Sequence, residues 1–150
     1  MDIRPAAEVD VPAVTDLLRN AGLPLIGVSE AFRTGFVACD GDVVVGAAAI
    51  EPYGSVALLR SVVVRQSVRG TGVGRELVAA VQAYAVTIGV RTVVLLTETA
   101  EAWFRRLGYE TVDRSQLPEA ILASDEVAIA CAASAVAMRR VIKPPRDVRS

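Results

Sequence analysis

Seven consecutive residues, Arg69-Gly70-Thr71-Gly72-Val73-Gly74-Arg75, carry the most specific chemistry in the sequence. Glycines let a backbone turn sharply and approach another surface closely. An apolar strand before them and an amphipathic helix after them place unpaired amide N–H groups at a helix start, where an anion is favoured. The helix dipole contributes only about 0.3–1 kcal/mol there. A diphosphate would therefore need several amides acting together, with Arg69 and Arg75 adding charge-assisted contacts. Two other phosphate loops are excluded. No Gly-Lys-Ser/Thr ending is present, and Arg75 stands where a dinucleotide fingerprint needs a small residue. What remains is Arg-x-x-Gly-x-Gly, which taken alone is also compatible with an ordinary glycine-rich turn.

A second feature is Arg60, a charge inside the apolar run Val56–Val64. A guanidinium in such a place can clamp a carboxylate bidentately. It can equally face the surface or pair with Glu51. The sequence contains no histidine, which removes the commonest metal ligand and the usual partner of a nucleophilic Ser or Cys. No metal is expected, and Ser-His-Asp hydrolysis is disfavoured. Cys39 and Cys131 do not make a disulfide framework in 150 residues and read as buried reduced thiols.

The elements that must position these residues follow from periodicity. Residues 3–6 read as an opening strand. Asp10 offers an N-cap to a helix in which Val11, Val14, Leu17, Leu18 and Ala21 recur at helical spacing, stopped by Gly22 and Pro24. Residues 23–32 fit either a loop or a short helix. Residues 34–39, 42–50 and 56–64 form three strands joined by Asp40-Gly41 and Tyr53-Gly54-Ser55, an antiparallel meander. Val73, Leu77, Val78, Val81, Tyr84, Ala85 and Ile88 share one helical face over 73–88. Residues 92–96 are a short buried strand, so that helix reads as a right-handed crossover between parallel neighbours. A helix over 101–107, strands over 109–113 and 133–140, and a helical or irregular piece near 117–123 complete an α+β (α/β) domain around one mixed sheet. It spans 1–140, followed by a flexible tail over 141–150.

Arg69, Gly72 and Gly74 match the Gln/Arg-x-x-Gly-x-Gly/Ala motif of the GCN5-related N-acetyltransferase (GNAT) family, which the sequence resembles over about residues 2–140. The apolar Ser61-Val62-Val63-Val64 before the loop and Trp103-Phe104-Arg105-Arg106-Leu107-Gly108-Tyr109 after it support the match. The resemblance implies a V-shaped splay between strands 56–64 and 92–96, with helices flanking the sheet. It implies acetyl-CoA as co-substrate, its pyrophosphate on Arg69, Gly70, Thr71, Gly72, Val73, Gly74 and Arg75. Its pantetheine arm would pair with the backbone of Val62, Val63 and Val64 as a pseudo-strand, one amide there stabilising an oxyanion. An amine would attack the thioester directly. Glu51 is the expected base, equally readable as a solvated acid beside a turn; Thr97 and Glu98 are weaker candidates. A base so placed contributes typically ~10²–10⁴-fold. The family's usual acid, a tyrosine four residues before the helix-ending glycine, is here Phe104, which keeps only a coenzyme-side position. Neither Tyr109 nor Tyr53 is an assured substitute.

The longer patterns Leu58-Leu59-Arg60-Ser61, Leu95-Leu96-Thr97-Glu98-Thr99-Ala100-Glu101 and Leu117-Pro118-Glu119 resemble small acetyltransferases of arsenic-resistance operons and short glutamate N-acetyltransferases. That resemblance implies a small amino acid or amino-acid-like toxin (arsinothricin, phosphinothricin) as acceptor, with Arg60 on its carboxylate. A non-catalytic acyl-CoA-binding module and a protein or peptide N-acetyltransferase are the competing readings. Net charge −1 and pI about 5.5 give no footprint for nucleic acid. The N-terminus has no signal-peptide pattern, and the apolar run 43–50 is too short to span a bilayer. A cytoplasmic protein without nucleic-acid or membrane partners is expected, and homodimerisation through the C-terminal strands is compatible with the family.

Overall fold

The computed structural model describes residues 1–130 and 133–142. Strands form where β-branched and apolar residues run together between turn-forming glycines, helices where apolar residues recur at a period near 3.6. The elements are β1 (Asp2–Pro5), α1 (Val11–Asn20), α2 (Val28–Ala31), β2 (Gly35–Asp40), β3 (Val43–Tyr53), β4 (Val56–Val64), α3 (Val73–Thr87), β5 (Thr92–Thr97), α4 (Glu101–Arg106), β6 (Glu110–Val112), α5 (Glu119–Leu122) and β7 (Val136–Val141). A π turn over Glu126–Ala130 stands between α5 and β7.

The strands make one mixed sheet in the order β1-β2-β3-β4-β5-β7-β6, so the fold is the expected α+β one. The meander and the α3 crossover lie where the periodicity puts them. The last two strands do not close the sheet in chain order. β7 inserts antiparallel between β5 and β6, and Ile142 is buried, its amide donating to the Arg91 carbonyl at 2.9 Å. β7 reaches Val141, within the stretch expected as tail; residues 143–150 of that tail, and Cys131, lie outside the described residues. Cys39 is a buried free thiol.

Asp10 does not cap α1. Its carboxylate accepts from both Nη atoms of Arg4, at 2.7 and 2.9 Å, and from the Ala7 amide at 2.7 Å. A guanidinium fork outcompetes the weaker amide cap, and a single 3₁₀ turn over Glu8–Asp10 leads into the helix instead.

Two faces of the sheet are covered differently. Val73, Leu77, Val78, Val81 and Ala85 of α3 and Phe104 of α4 pack on one face against Ala57, Leu59, Val93 and Leu95. On the other face, Val14, Leu17 and Leu18 of α1 with Val28 and Ala31 of α2 cover Val37, Ala47, Ala49 and Val63. Each buried aliphatic side chain contributes about 1.5–3 kcal/mol. Farther along that face Leu117, Ile121 and Val127 cover Leu58, Val94 and Ala137. Between these two apolar groups lies a seam, and Arg60 occupies it.

Candidate active site

β4 and β5 pair in parallel only at Val56↔Thr92, Ala57↔Val93 and Leu58↔Val94. Beyond Leu58 the two strands part, and the β5-side edge of β4, which includes Val62, Val63 and Val64, has no strand partner among the described residues. A bulge marks the same place. Ala49 stands opposite Arg60 and Ala47 opposite Val63, one residue too many on β4. Ser61 is the extra one, at φ 58°. Side-chain alternation skips it: Ala57, Leu59, Val62 and Val64 face α3, while Val63 faces α1. A bulge bends its strand and frees backbone groups from the ladder, and a non-glycine residue in the left-handed region stores strain of the kind found at functional sites.

The splay opens beside the start of α3. Gly70 and Gly72 have φ of 84° and 88°, a region L side chains rarely adopt, and a Cβ on either would meet nothing within 4 Å. The cradle is open. The first intrahelical bond runs from the Glu76 amide to the Gly72 carbonyl at 3.1 Å, so the amides of Val73, Gly74 and Arg75 stand at the helix start as orphan donors. Arg69 Nε donates to the Val64 carbonyl at 3.0 Å, bracing the loop against β4, and Thr71 Oγ1 donates to the Val68 carbonyl at 2.6 Å in the turn before it. Gly74 serves a different need. A Cβ there would stand 3.0 Å from Trp103 Cζ2, so its absence lets α4 pack on the loop. The arrangement suits a diphosphate at the amides with an extended chain along β4.

On the opposite face, in the seam, a charged cluster surrounds Arg60, whose side chain is 1% exposed. Nη1 donates to Glu51 Oε2 at 2.6 Å, Nη2 to the Ile26 carbonyl at 2.6 Å and Nε to Ser61 Oγ at 3.1 Å. Arg60 is thus not an open clamp. Of the three roles compatible with its position in sequence, the ion pair with Glu51 is the one formed. Glu51 in turn has both oxygens engaged, Oε1 accepting from the Tyr53 hydroxyl at 2.8 Å. Burial, and then the bond to Glu51, push the Tyr53 phenol up to about 12.

The second acid of the cluster is Glu126, in the π turn. Its Oε2 lies 3.4 Å from Arg60 Nε, and the side chain is 9% exposed. Nε is already given to Ser61, and among the described residues Glu126 Oε2 has no hydrogen-bond partner. Burial raises the Glu126 carboxyl to about 7; Arg60 opposes the rise and Glu51 adds to it. Because the folded value lies above the ordinary 4.5, the folded chain holds a proton through that interval that the unfolded chain has released. Its stabilising effect is complete below about 4.5 and is lost as pH rises through about 7. With no histidine in the chain, thermal melts should show a falling Tm between pH 5 and 8, at most about 1.4 kcal/mol per unit. Glu126→Gln should flatten that fall. An unchanged slope in the variant would mean that Glu126 ionises normally.

Other expected residues are placed as follows. Thr97 Oγ1 accepts from the Ala100 amide at 3.0 Å, in the turn before α4. Glu98 faces Ser134 at 3.4 Å. Phe104 turns into the core, edge-on to Trp103 and Tyr109, so Trp103, not Phe104, is the α4 aromatic against the glycine loop. Tyr109 is buried and donates to Gln82 Oε1 at 2.6 Å, its phenol raised by burial, which removes it from the splay. Glu126 was not singled out by the sequence, since residues 124–130 carry neither a motif nor a clear period.

Comparison with known proteins agrees with this geometry. The family model described as an acetyltransferase (GNAT) domain matches residues 31–111, more than half of the chain. No curated protein matches by sequence. Among solved structures, N-acetylglutamate synthase from Neisseria gonorrhoeae, complexed with coenzyme A and N-acetyl-glutamate, superposes with a TM-score of 0.82 at 18% identity over 95% of this chain. The chain spans only 35% of that enzyme's length. A Mycobacterium tuberculosis protein in complex with CoA gives 0.77 at 21% identity, over 95% of this chain and 100% of the other. An aminoglycoside 6'-N-acetyltransferase complexed with coenzyme A gives 0.69 at 20% identity, over 98% and 100%. At such identities the likeness is one of fold. No helix among the described residues is long and apolar enough to cross a membrane. The family match runs from α2 into β6, through the strands that part and the loop beside them, and the chain therefore belongs to the GNAT acetyltransferase family, an N-acetyltransferase by class.

Proposed function

We propose that the protein transfers the acetyl group of acetyl-CoA directly to the amine of a small amino acid or amino-acid-like compound. Glutamate, phosphinothricin and arsinothricin are the acceptors to try first. The observation that carries the reading is the parting of β4 from β5 after Leu58, beside the open glycine cradle at the start of α3. Acetyl-CoA supplies the activated acyl group. Amides of Val73, Gly74 and Arg75 hold its diphosphate, and the free edge of Val62, Val63 and Val64 aligns the pantetheine as an added strand. On the other face, an acceptor carboxylate would take Nη1 of Arg60 in place of Glu51, the more exposed of the two acids at 23%. Arsenic-resistance membership, which rests on sequence resemblance, and cytoplasmic location belong to the same proposal.

The test is thiol release from acetyl-CoA with these acceptors, other amino acids, polyamines and peptides. Acceleration by one or more free amino acids, with polyamines and peptides slower, is expected. No acceleration by any amine, with tight acetyl-CoA binding in calorimetry, would instead favour a non-catalytic acyl-CoA sensor.

A further inference from the structure

The sequence pointed to Glu51 as the base, yet the hydrogen bonds of the cluster favour the other acid. Glu51 spends Oε2 on Arg60 and Oε1 on Tyr53. A proton arriving there must compete with a short charge-assisted bond. Among the described residues Glu126 Oε2 has no hydrogen-bond partner, on a side chain more than nine-tenths buried, at the seam beside the parting strands. An unsatisfied buried carboxylate oxygen is costly, and a cationic donor would relieve that cost. With both acids ionised the three charges of Glu51, Arg60 and Glu126 sum to −1, a sign that invites a cation rather than another anion.

We propose that Glu126 receives the acceptor's ammonium group and takes its proton, so that the amine is neutral when it attacks. This rests on the acetyltransferase reading and deepens it. The ammonium R–NH₃⁺ gives one proton to the Glu126 carboxylate, leaving R–NH₂ and the neutral acid. The amine lone pair forms the new C–N bond to the thioester carbonyl carbon, and the C–S bond breaks. The second amine proton goes to the departing thiolate, and Glu126 returns its proton to solvent. Overall, one amide, one thiol and one proton are formed.

Glu126 is poised for this exchange. Its carboxyl is raised to about 7 by burial, with Arg60 of β4 opposing the rise and Glu51 of β3 adding to it. Tyr53 of β3 bonds Glu51, and Asp125 precedes Glu126 on its own segment, bearing on Tyr53. A base near the operating pH both holds the proton and gives it back. Arg60 holds Glu126 by proximity and offers Nη1 to the acceptor carboxylate once Glu51 gives it up. An α-amino acid carries its ammonium and carboxylate on one carbon, which matches an acid and a guanidinium 3.4 Å apart.

The experiment has two arms on the full chain. In the first, side-chain carboxyl ¹³C NMR follows Glu126, assigned by comparison with Glu126→Gln, while ethylammonium chloride is titrated in the presence of coenzyme A. Glu126 should titrate near neutrality, and ethylammonium should lower its midpoint. Titration with the ordinary carboxylates, or indifference to ethylammonium, overturns the proposal. In the second arm, kcat/KM is measured against pH for wild type, Glu126→Gln and Glu51→Gln with L-glutamate and phosphinothricin. Glu126→Gln should lose about 10²–10⁴-fold and the acid limb near neutrality, while acetyl-CoA affinity in calorimetry stays within twofold. Retention of the limb by Glu126→Gln, or its loss in Glu51→Gln alone, refutes the assignment. If wild type releases no thiol with any amine, the acetyltransferase reading is what fails, and the NMR arm still decides whether Glu126 binds an ammonium.

Discussion

Replacing Gly72 with glutamate is expected to abolish acetyl-CoA binding while the domain stays folded. Gly72 sits at φ 88° immediately before α3, and the space a Cβ would enter is empty in the protein itself. The substitution therefore creates no internal clash. It costs about 1–2 kcal/mol in left-handed backbone strain and places a carboxylate where the amides of Val73, Gly74 and Arg75 would meet a diphosphate. Two like charges about 4 Å apart at an effective dielectric near 20 repel by about 4 kcal/mol, roughly 10³-fold in affinity. Gly72→Ala separates the two effects, because it carries the strain without the charge. Calorimetry should show a modest loss for alanine and no measurable binding for glutamate, with both variants melting cooperatively. Full affinity in Gly72→Glu would place the coenzyme somewhere other than the glycine loop.

How far the sequence could be read depends on how local the determining physics is. β4 and α3 run very nearly where their periodicities put them, because alternation and the 3.6 period are set by which face is buried. The glycine loop was legible for the same reason: positive φ at Gly70 and Gly72 is a demand that a side chain would oppose. The bulge at Ser61 was not legible. Residues 56–59 and 62–64 are all apolar, so a slip in alternation leaves no trace, and only the polar pair Arg60-Ser61 hints at it. The cap on α1 was misjudged because Arg4 belongs to another element and is only brought to Asp10 by β1. Glu126 was invisible for a tertiary reason: it becomes unusual only when the chain after α5 folds back and buries it beside Arg60. Phe104 differs again: it stands at a position the family motif marks, and its side chain packs into the core.

Arg60→Met is expected to be the most destabilising substitution in the cluster, and the loss should depend on pH. Methionine keeps much of the length and apolar stem of arginine while removing the charge and all three donor positions. Glu51 would lose its guanidinium and Glu126 its nearby cation, leaving two acids and the Ile26 carbonyl without their partner. Removing one member of a buried ion pair typically costs about 3–5 kcal/mol, most of it from the stranded charge. For a chain of this size that is a fall in Tm of about 10 °C. The stranded charge is a burden only when present. At pH 5.5 Glu126 still carries its proton, since its carboxyl is raised to about 7, so the deficit should be smaller there than at pH 8. Glu126→Gln should then recover more stability in the Arg60→Met background than in wild type, because it deletes the acid that the missing guanidinium no longer offsets. A double-mutant cycle at pH 8 measures this coupling. Additivity within about 0.5 kcal/mol, or a Tm deficit equal at both pH values, would show that Arg60 and Glu126 do not feel each other, and the seam would then have to be described as two separate contacts.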